Sequence, residues 1–493
     1  MTGGGSYAAR ALIAIGLFLG FYALALGLAA LLFWLPYAEW KYAGRIHFRL
    51  AIGAIICAVG ILRGSIFVRS PEFVPPGPEV KESEEPALFA LIRTVAGEMR
   101  TRMPAHVYLI PDVNAFVTEV GGFMGIGSRR VMGIGLGLLT VDNVSQLKAT
   151  IAHEFGHYVG GDTRLGGFVY RTRAAIGRVL DTLGESWLSK PFQLYAKLFL
   201  RVSHGVSRQQ ELAADRASVA VAGKHAHVTG LEREGRGAVL FDSFLGAEVG
   251  PLVSCGYCAE NLYEGFRVYS EELLSRGDVA AIDAELAKRQ TNPYDTHPAL
   301  ADRVAYARSL PNSNVETDER PATVLLADAA EVERQVSRHF ADKVNASRRL
   351  ESVAWHDVAD KVYGPKLGEE GRLAALKVSR AFGGSNANAD AVRTLIRQIE
   401  KSDPHAVALF LEPELGQAPE ATQKDVAPRI VARALGALLG ACQVEAGGRW
   451  RSDIGKPHQV VLSDEIHEPF RTAAEAVDDK AKLEALGTMF RAV

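Results

Sequence analysis

The chain opens with two apolar segments whose lengths suit membrane helices. Residues 11–35 contain no formal charge, and residues 50–68 form a second apolar run that Arg63 interrupts. A bilayer core of ~30 Å requires about 20 apolar residues in a helix. The first run also exceeds the apolar core of a cleaved signal peptide, about 7 to 15 residues. We therefore predict a membrane anchor in residues 1–69 with one or two transmembrane helices, the alternative for the second run being an interfacial or protein-packed helix.

After the anchor, the pattern predicts a linker and then a mixed domain. Prolines and acidic residues dominate residues 70–86, which is typical of a spacer. Apolar positions then recur at helical spacing from residue 88, and the short apolar runs 106–110 and 131–136 predict strands. From residue 143 onward the spacing is helical. The predicted fold is mainly α with a small β-sheet.

The second half of the chain gives fewer signals. We predict one domain over residues 87–311 and a helical C-terminal region over 312–493, whose role the pattern does not indicate. Residues 168–206 mix apolar and basic positions and are too charged for a clean spanning helix. They are either a core-facing amphipathic helix pair or an interfacial helix in contact with the membrane. Because this segment is too charged to add spanning helices, an enclosed barrel of such helices is not expected.

Composition excludes several classes of function. The formal net charge is -2, with 48% hydrophobic and 23% charged residues, so no attraction to nucleic acid is expected. Four cysteines are too few for a secreted disulfide framework, and a reducing compartment fits best. Cys255 and Cys258 could be a redox pair or half a zinc site, but without a second such pair, buried reduced thiols are favoured. The glycines near residue 135 precede no G-K-[ST] signature, so nucleotide binding is not expected.

The strongest chemical signal is the H-E-x-x-H motif formed by His153, Glu154 and His157. In a helix, residues four apart lie one turn above each other, so the two imidazoles can hold one metal ion. Glu154 can then take a proton from a metal-bound water. A catalytic zinc commonly has a third protein ligand, and Glu211 is our candidate. Asp215 lies one turn further on and is placed to hydrogen-bond a ligand histidine.

These residues together resemble the M48 family of zinc metallopeptidases. The likeness spans residues 88–306 and also includes Asn114-Ala115-Phe116, residues 133–139, and Thr296-His297-Pro298 with Arg303. It implies a gluzincin-type core with one Zn²⁺ bound by His153, His157 and Glu211. It also implies Glu154 as general base, Asp215 behind a ligand histidine, and His297 near the oxyanion. By the same analogy, Gly133, Ile134, Gly135 and Leu136 belong to an edge strand that pairs with an extended substrate.

The motif and the resemblance predict a zinc-dependent endopeptidase that hydrolyses internal peptide bonds, in membrane-protein quality control or processing. The expected partners are protein or peptide substrates and the lipid bilayer. Basic residues flank the apolar runs almost evenly, so topology rests on the resemblance, which implies a bacterial inner membrane with a cytosolic catalytic domain. The alternative is a membrane-tethered scaffold that retains a structural metallopeptidase fold. A scaffold of this kind would lack one of the predicted metal ligands or the general base, and the sequence contains all of them.

Overall fold

Helices make up most of the chain. A computed structural model describes residues 4–66, 73–121, 128–158, 163–288, 298–312, 315–344 and 349–491. In chain order the α-helices are α1 (Gly4–Ala43), α2 (Phe48–Ile66), α3 (Pro86–Glu98), α4 (Leu136–Val141), α5 (Val144–Gly156), α6 (Thr163–Leu183), α7 (Lys190–Ala222), α8 (Lys224–Phe244), α9 (Gly250–Ser254), α10 (Leu262–Ser275), α11 (Asp278–Lys288), α12 (Leu300–Ser309), α13 (Ala329–Val344), α14 (Gly364–Phe382), α15 (Asn388–Lys401), α16 (Pro404–Leu411), α17 (Glu420–Glu445), α18 (Pro469–Asp478) and α19 (Lys480–Arg491).

The described strands form three small sheets. They are β1 (Glu79–Val80), β2 (His106–Ile110), β3 (Ala115–Val120), β4 (Arg129–Gly135), β5 (Tyr257–Ala259), β6 (Glu351–Val353), β7 (Arg449–Arg451), β8 (Gln459–Leu462) and β9 (Glu465–His467). The strand orders are β1-β2-β4-β3, β5-β6 and β7-β8-β9. The predicted class, mainly α with a small sheet, is confirmed.

The chain divides into two compact units. The first consists of Met1–Phe241 and Gly277–Phe340, and the second of Asp242–Arg276 and Ala341–Val493. The second unit takes in a segment from the middle of the chain because β5 pairs in parallel with β6, Cys258 lying opposite Ser352. The units therefore do not divide at residue 311, and the boundaries 87–311 and 312–493 stay a prediction about domains.

The first two helices are apolar enough to cross a membrane over Ile15–Ala43 and Phe48–Ser65. They share a buried cluster with α6 and the first half of α7, in which Phe21 and Ile61 meet Val179 and Phe192. The segment 168–206 thus supplies core-facing amphipathic helices, and the core that they face is built by α1 and α2. Lys224–Ser254 meets the same criteria of length and composition. Its first half lines a polar cavity described below, a position that suits a membrane-spanning helix less well than those of α1 and α2.

The first sheet corrects two expectations. Strands β2 and β4 confirm the predicted runs, but Glu79–Val80, which the sequence assigns to the linker, pair with β2 as β1. Strand β4 pairs with β2 on one side and with β3 on the other. Gly133, Ile134 and Gly135 therefore lie inside the sheet and Leu136 begins α4, so the expectation of an edge strand there is wrong.

Close packing explains the glycines of β4. A Cβ added at Gly133 would lie 2.4 Å from the Phe116 ring, and one at Gly135 would lie 2.0 Å from the Asp112 carbonyl oxygen. Neither position has room for a side chain, since the neighbouring β3 and the turn before it occupy the space. These glycines let β3 pack against β4, and β3 is the free edge of the sheet.

The second unit has a helical core of its own around α17. Val431, Leu435 and Leu438 of that helix are fully buried against α14, α15, α16 and α18. The three-stranded sheet β7-β8-β9 packs on the same helix, where Trp450 fills the space beside Gly440. The C-terminal region is therefore helical, as the sequence pattern indicates.

Candidate metal centre

Helix α5, which holds the H-E-x-x-H motif, begins with a complete capping box. Asn143 Oδ1 accepts a hydrogen bond from the Gln146 amide at 2.8 Å, and Gln146 Oε1 accepts one from the Asn143 amide at 2.9 Å. One face of the helix is fully buried through Leu147, Ile151 and Phe155. This face fixes the rotation of α5, because turning the helix would expose it to water.

Helix α7 brings the two predicted acids to α5. Glu211 is 4% exposed and Asp215 is 0% exposed. Between them lies Ala214, whose Cα would be 2.8 Å from a Cβ built on Gly156. The two helices therefore cross almost in backbone contact, and this crossing places both carboxylates opposite the histidines of α5.

Three side chains converge into one potential metal-binding group. The donor atoms of His153, His157 and Glu211 all lie within 4.8 Å of one another. His153 Nε2 is 3.5 Å from Glu211 Oε2, and His157 Nε2 is 3.7 Å from Glu211 Oε1. Tetrahedral zinc with bonds of ~2.0–2.1 Å separates its donor atoms by roughly 3.3 Å. Two imidazoles and one carboxylate in this arrangement fit a zinc ion that keeps one position open.

Asp215 connects this group to three basic side chains. Its Oδ1 lies 3.0 Å from His153 Nδ1 and 3.2 Å from His227 Nε2. Arg303 donates to the same carboxylate from Nη2 at 2.6 Å and from Nε at 3.1 Å. Burial alone would raise the pKa of Asp215, but these bonds hold it well below its ordinary range. The ionised carboxylate holds the His153 ring so that Nε2 is directed to Glu211.

The acids around His153 also make it a strong base. Burial lowers the pKa of His153, but the contacts with Asp215 and Glu211 outweigh it and raise the pKa to about 9. A metal ion at this group must therefore displace a proton from the ring. Protons and metal compete for the same nitrogen, so acid pH weakens metal binding.

Glu154 is buried at the same place. Burial and the nearby Glu211 charge raise its pKa to about 7, although His153 and the Val117 N–H oppose the rise. The Val117 amide donates to Glu154 Oε2 at 3.3 Å, and Tyr158 donates its hydroxyl to the Val117 carbonyl at 2.7 Å. These bonds join the end of α5 to the free edge strand β3.

A cavity of about 560 Å³ opens beside these residues. Strand β3 contributes Phe116, helix α8 contributes His227 and Glu234, and helix α12 contributes Arg303. The sequence patterns did not single out His227 or Glu234, because each comes from an element remote in sequence and belongs to no motif. Arg303 entered only through the family resemblance, without a role.

Two predicted features stand apart from this group. His297 lies outside the described residues, so its place near an oxyanion stays a prediction. Cys255 and Cys258 are free thiols of the second unit, and Cys258 is buried. Among the described residues, His153, His157 and Glu211 are the one group of three converging potential ligands, so the cysteines belong to no such group.

Comparison with known proteins finds two curated proteases that resemble part of this chain. "Protease HtpX" from Sodalis glossinidius is 29% identical over 175 residues, which cover 30% of this chain and 57% of that protein. "Protease HtpX homolog" from Thiobacillus denitrificans is 28% identical over 166 residues, covering 30% of this chain and 55% of that protein. The chain thus spans just over half the length of these curated relatives. No solved structure matches the chain.

The family comparison covers the segment that contains the whole group. The sequence model of peptidase family M48 matches residues 82–310, which include the motif helix α5, the acids of α7 and Arg303 of α12. The matched segment contains the same features, in the same order along the chain, as those that carry the resemblance to this family. Residues 82–310 of this chain therefore form a domain of peptidase family M48.

Proposed function

We propose that this chain is a zinc-dependent endopeptidase that hydrolyses internal peptide bonds of protein substrates. The observation that supports this most directly is the convergence of His153, His157 and Glu211 beside buried Glu154, at the wall of one cavity. The family match and the protease names of the two relatives agree with it. A purely structural scaffold would not need a buried acid such as Glu154 beside the metal-binding group.

His153, His157 and Glu211 would hold one zinc ion, which supplies Lewis-acid polarisation of a carbonyl and lowers the pKa of a bound water. Glu154 takes a proton from the attacking water and returns it to the leaving amine. Its pKa of about 7 suits both steps, because a group that titrates near the working pH accepts and releases a proton with similar ease. Asp215 and Arg303 keep His153 in the orientation that this chemistry needs.

The free edge strand β3 is the element of this proposal that orients the substrate. Ala115 and Phe116 line the cavity, and Val117 is in contact with Glu154. An extended peptide that hydrogen-bonds to the edge of β3 would place its backbone beside the general base. This role passes to β3 from residues 133–136, because β4 is paired on both sides and Leu136 begins α4.

Helices α1 and α2 support a membrane location for the proposed activity. We infer that the peptidase domain lies on the cytosolic side of a bacterial inner membrane and acts in membrane-protein quality control or processing. The apolar helices support the membrane part of this inference. Protease protection of tagged termini in sealed vesicles of defined orientation tests the sidedness.

Replacing Glu154 by Gln tests the activity. The amide keeps the size of the side chain but cannot accept a proton, so cleavage of casein should fall by roughly 10²- to 10⁴-fold. Zinc content should stay at one ion per chain, because the ligands are untouched. The matched control is Glu98→Gln, which removes a surface partner of Lys148 and should cleave like the parent. Casein cleavage by Glu154→Gln at the parental rate would contradict the proposal.

A further inference from the structure

A second acidic side chain faces the cavity beside the metal-binding group. Glu234 of α8 lines the same cavity as His153 and Glu154. Thr150 donates its hydroxyl to Glu234 Oε1. Thr150 precedes His153 by three residues and therefore lies on the same face of α5, one turn away. This bond between helices fixes the Glu234 carboxylate about one helical turn, ~5.4 Å, from the metal-binding end of the cavity.

Asp142 lies behind Glu234 and is 3% exposed. Burial and the neighbouring Glu234 carboxylate raise the pKa of Asp142 well above its ordinary value. Among the described residues, neither carboxyl oxygen of Asp142 has a partner in hydrogen-bonding geometry. Burial beside Glu234 therefore favours the protonated form of Asp142. Glu234 is the acid of the two that lines the cavity.

The cationic side chains near the Glu234 carboxylate are bound to other acceptors. Across the part of the chain that the structure describes, no lysine or arginine forms an ion pair with Glu234. Arg303 is bound to Asp215 through two hydrogen bonds, and Arg233 donates to Gln146 Oε1 at 3.4 Å. Both nearby cations are thus held by other acceptors. The space in front of Glu234 is the cavity itself.

A purely structural role does not account for the charge. A glutamine at position 234 could accept the Thr150 hydrogen bond equally well, and it would avoid the cost of holding an unpaired carboxylate next to a second acid. The fold alone therefore does not require an acid here. A cationic ligand in the cavity would account for it, because a charge-assisted hydrogen bond in a partly buried site is among the stronger polar contacts.

We propose that Glu234 is a specificity-determining residue that binds the lysine or arginine side chain flanking the scissile bond of the substrate. This inference rests on the proposed peptidase function. Both side chains are long enough to reach across one helical turn from a backbone held at β3. The substrates selected are then protein segments with a basic residue beside the cleaved bond.

The test uses the full-length, zinc-loaded protein in detergent. Cleavage sites are first mapped in a peptide library of random sequence, where lysine and arginine should be enriched at one position next to the scissile bond. Two peptides that differ only in lysine or norleucine at that position are then compared. The lysine peptide should have a kcat/KM about 10- to 100-fold higher, the range expected for a hydrogen bond to a charged group.

The variant Glu234→Gln should remove this preference, so that it cleaves the lysine and norleucine peptides with equal kcat/KM. Glu234→Lys should favour a peptide with glutamate at that position. The matched control is Glu232→Gln on the same helix, which pairs with Arg308 and should keep the lysine preference. Zinc content of each variant reports whether the metal-binding group has kept its structure.

The outcomes separate the two proposals. Cleavage of all peptides by the parent, with no enrichment of basic residues and no change in Glu234→Gln, overturns the specificity role and leaves the peptidase function intact. Equal cleavage by the parent and by Glu154→Gln overturns the peptidase function, and the specificity role fails with it. A lysine preference that Glu234→Gln retains assigns recognition to another residue and overturns the inference.

Discussion

Two buried aspartates of the first unit have opposite acid strengths. Asp215 contacts His153, His227 and Arg303, and these contacts hold its pKa well below the ordinary range against the effect of burial. Asp142 is equally buried but has a second carboxyl group as its neighbour, and its pKa is raised. The partner, rather than burial, thus decides the charge. The contacts of one aspartate favour its ionised form, and burial beside Glu234 favours the protonated form of the other.

This contrast predicts a pH-dependent effect of Asp142→Asn. Because the folded-state pKa of Asp142 is raised, the folded protein keeps a proton that the unfolded chain loses as the pH rises. The parent therefore loses stability as the pH rises from the ordinary pKa towards the folded one. Asparagine cannot ionise and keeps the size of the side chain. The variant should be more stable than the parent at alkaline pH, and this gain should shrink as the pH falls towards the ordinary pKa of an aspartate.

Thermal unfolding of the purified protein, followed by circular dichroism across this pH range, measures the effect. The control is Asp283→Asn, which removes a partly exposed partner of Arg236 and should change stability by less than about 0.5 kcal/mol at every pH. A gain at acid pH that equals the gain at alkaline pH would argue against the raised pKa, because it would not depend on ionisation.

At the scale of elements, the crossing of α5 and α7 decides the geometry of the metal-binding group. Gly156 and Ala214 are in contact where the helices cross. Gly156 lies between His153 and His157, and Ala214 lies between Glu211 and Asp215. Replacing Gly156 by Ala should push the helix backbones apart by some tenths of an ångström. Such a shift should weaken zinc binding by roughly 10- to 100-fold, as loss of supporting contacts does at other metal sites.

Competition with a chelating dye measures the zinc affinity of Gly156→Ala. Gly97→Ala in α3 is the matched control, since no heavy atom lies within 4 Å of its added Cβ. That change should leave zinc affinity unaltered and should stabilise the helix by about 0.5–1 kcal/mol. Parental zinc affinity in Gly156→Ala would show that the crossing tolerates a methyl group.

The helices α6 and α7 give a second prediction at this scale. They pack on α1 and α2, yet Trp187 is 73% exposed and Leu194 is 71% exposed. Apolar side chains exposed beside membrane helices gain most by contact with lipid, and Lys190 and Lys197 can extend to the headgroups. A variant that keeps Trp187 as its one tryptophan should be quenched by brominated lipids.

The other tryptophans calibrate this experiment. Single-tryptophan variants that keep Trp34 of α1 or Trp450 of the second unit give the values expected for lipid contact and for burial in protein. Trp450 is 7% exposed and packs beside Gly440. Quenching of Trp187 no stronger than that of Trp450 would place the start of α7 away from lipid.

The sequence predicted local features of these elements better than their pairing. Helical spacing is enough to associate His153 with His157 and Glu211 with Asp215. Strand order depends on contacts that no local pattern contains. The sequence therefore does not identify β3 as an edge strand, and it wrongly predicts that Gly133 lies in one. No local pattern indicates His227 or Glu234 as cavity residues either, because only folding brings α8 to α5.

At the scale of the whole molecule, the proposed zinc should stabilise one compact unit and not the other. Its ligands come from α5 and α7, and Arg303 of α12 supports them, so all of these elements belong to the first unit. A metal that binds only the folded state stabilises it in proportion to the logarithm of metal concentration over Kd, about 2.7 kcal/mol at a hundredfold excess over Kd. The core around α17 contains none of the ligands.

Hydrogen exchange followed by mass spectrometry can resolve this difference within one chain. Removing zinc with a chelator should speed amide exchange in α5, α7 and α12, because the metal no longer holds their ends together. Exchange in α14 and α17 should stay unchanged. Restoring zinc should return protection to the first unit, and magnesium should not, because it prefers oxygen ligands in octahedral geometry. Equal loss of protection in both units would mean that the metal stabilises the chain as a whole.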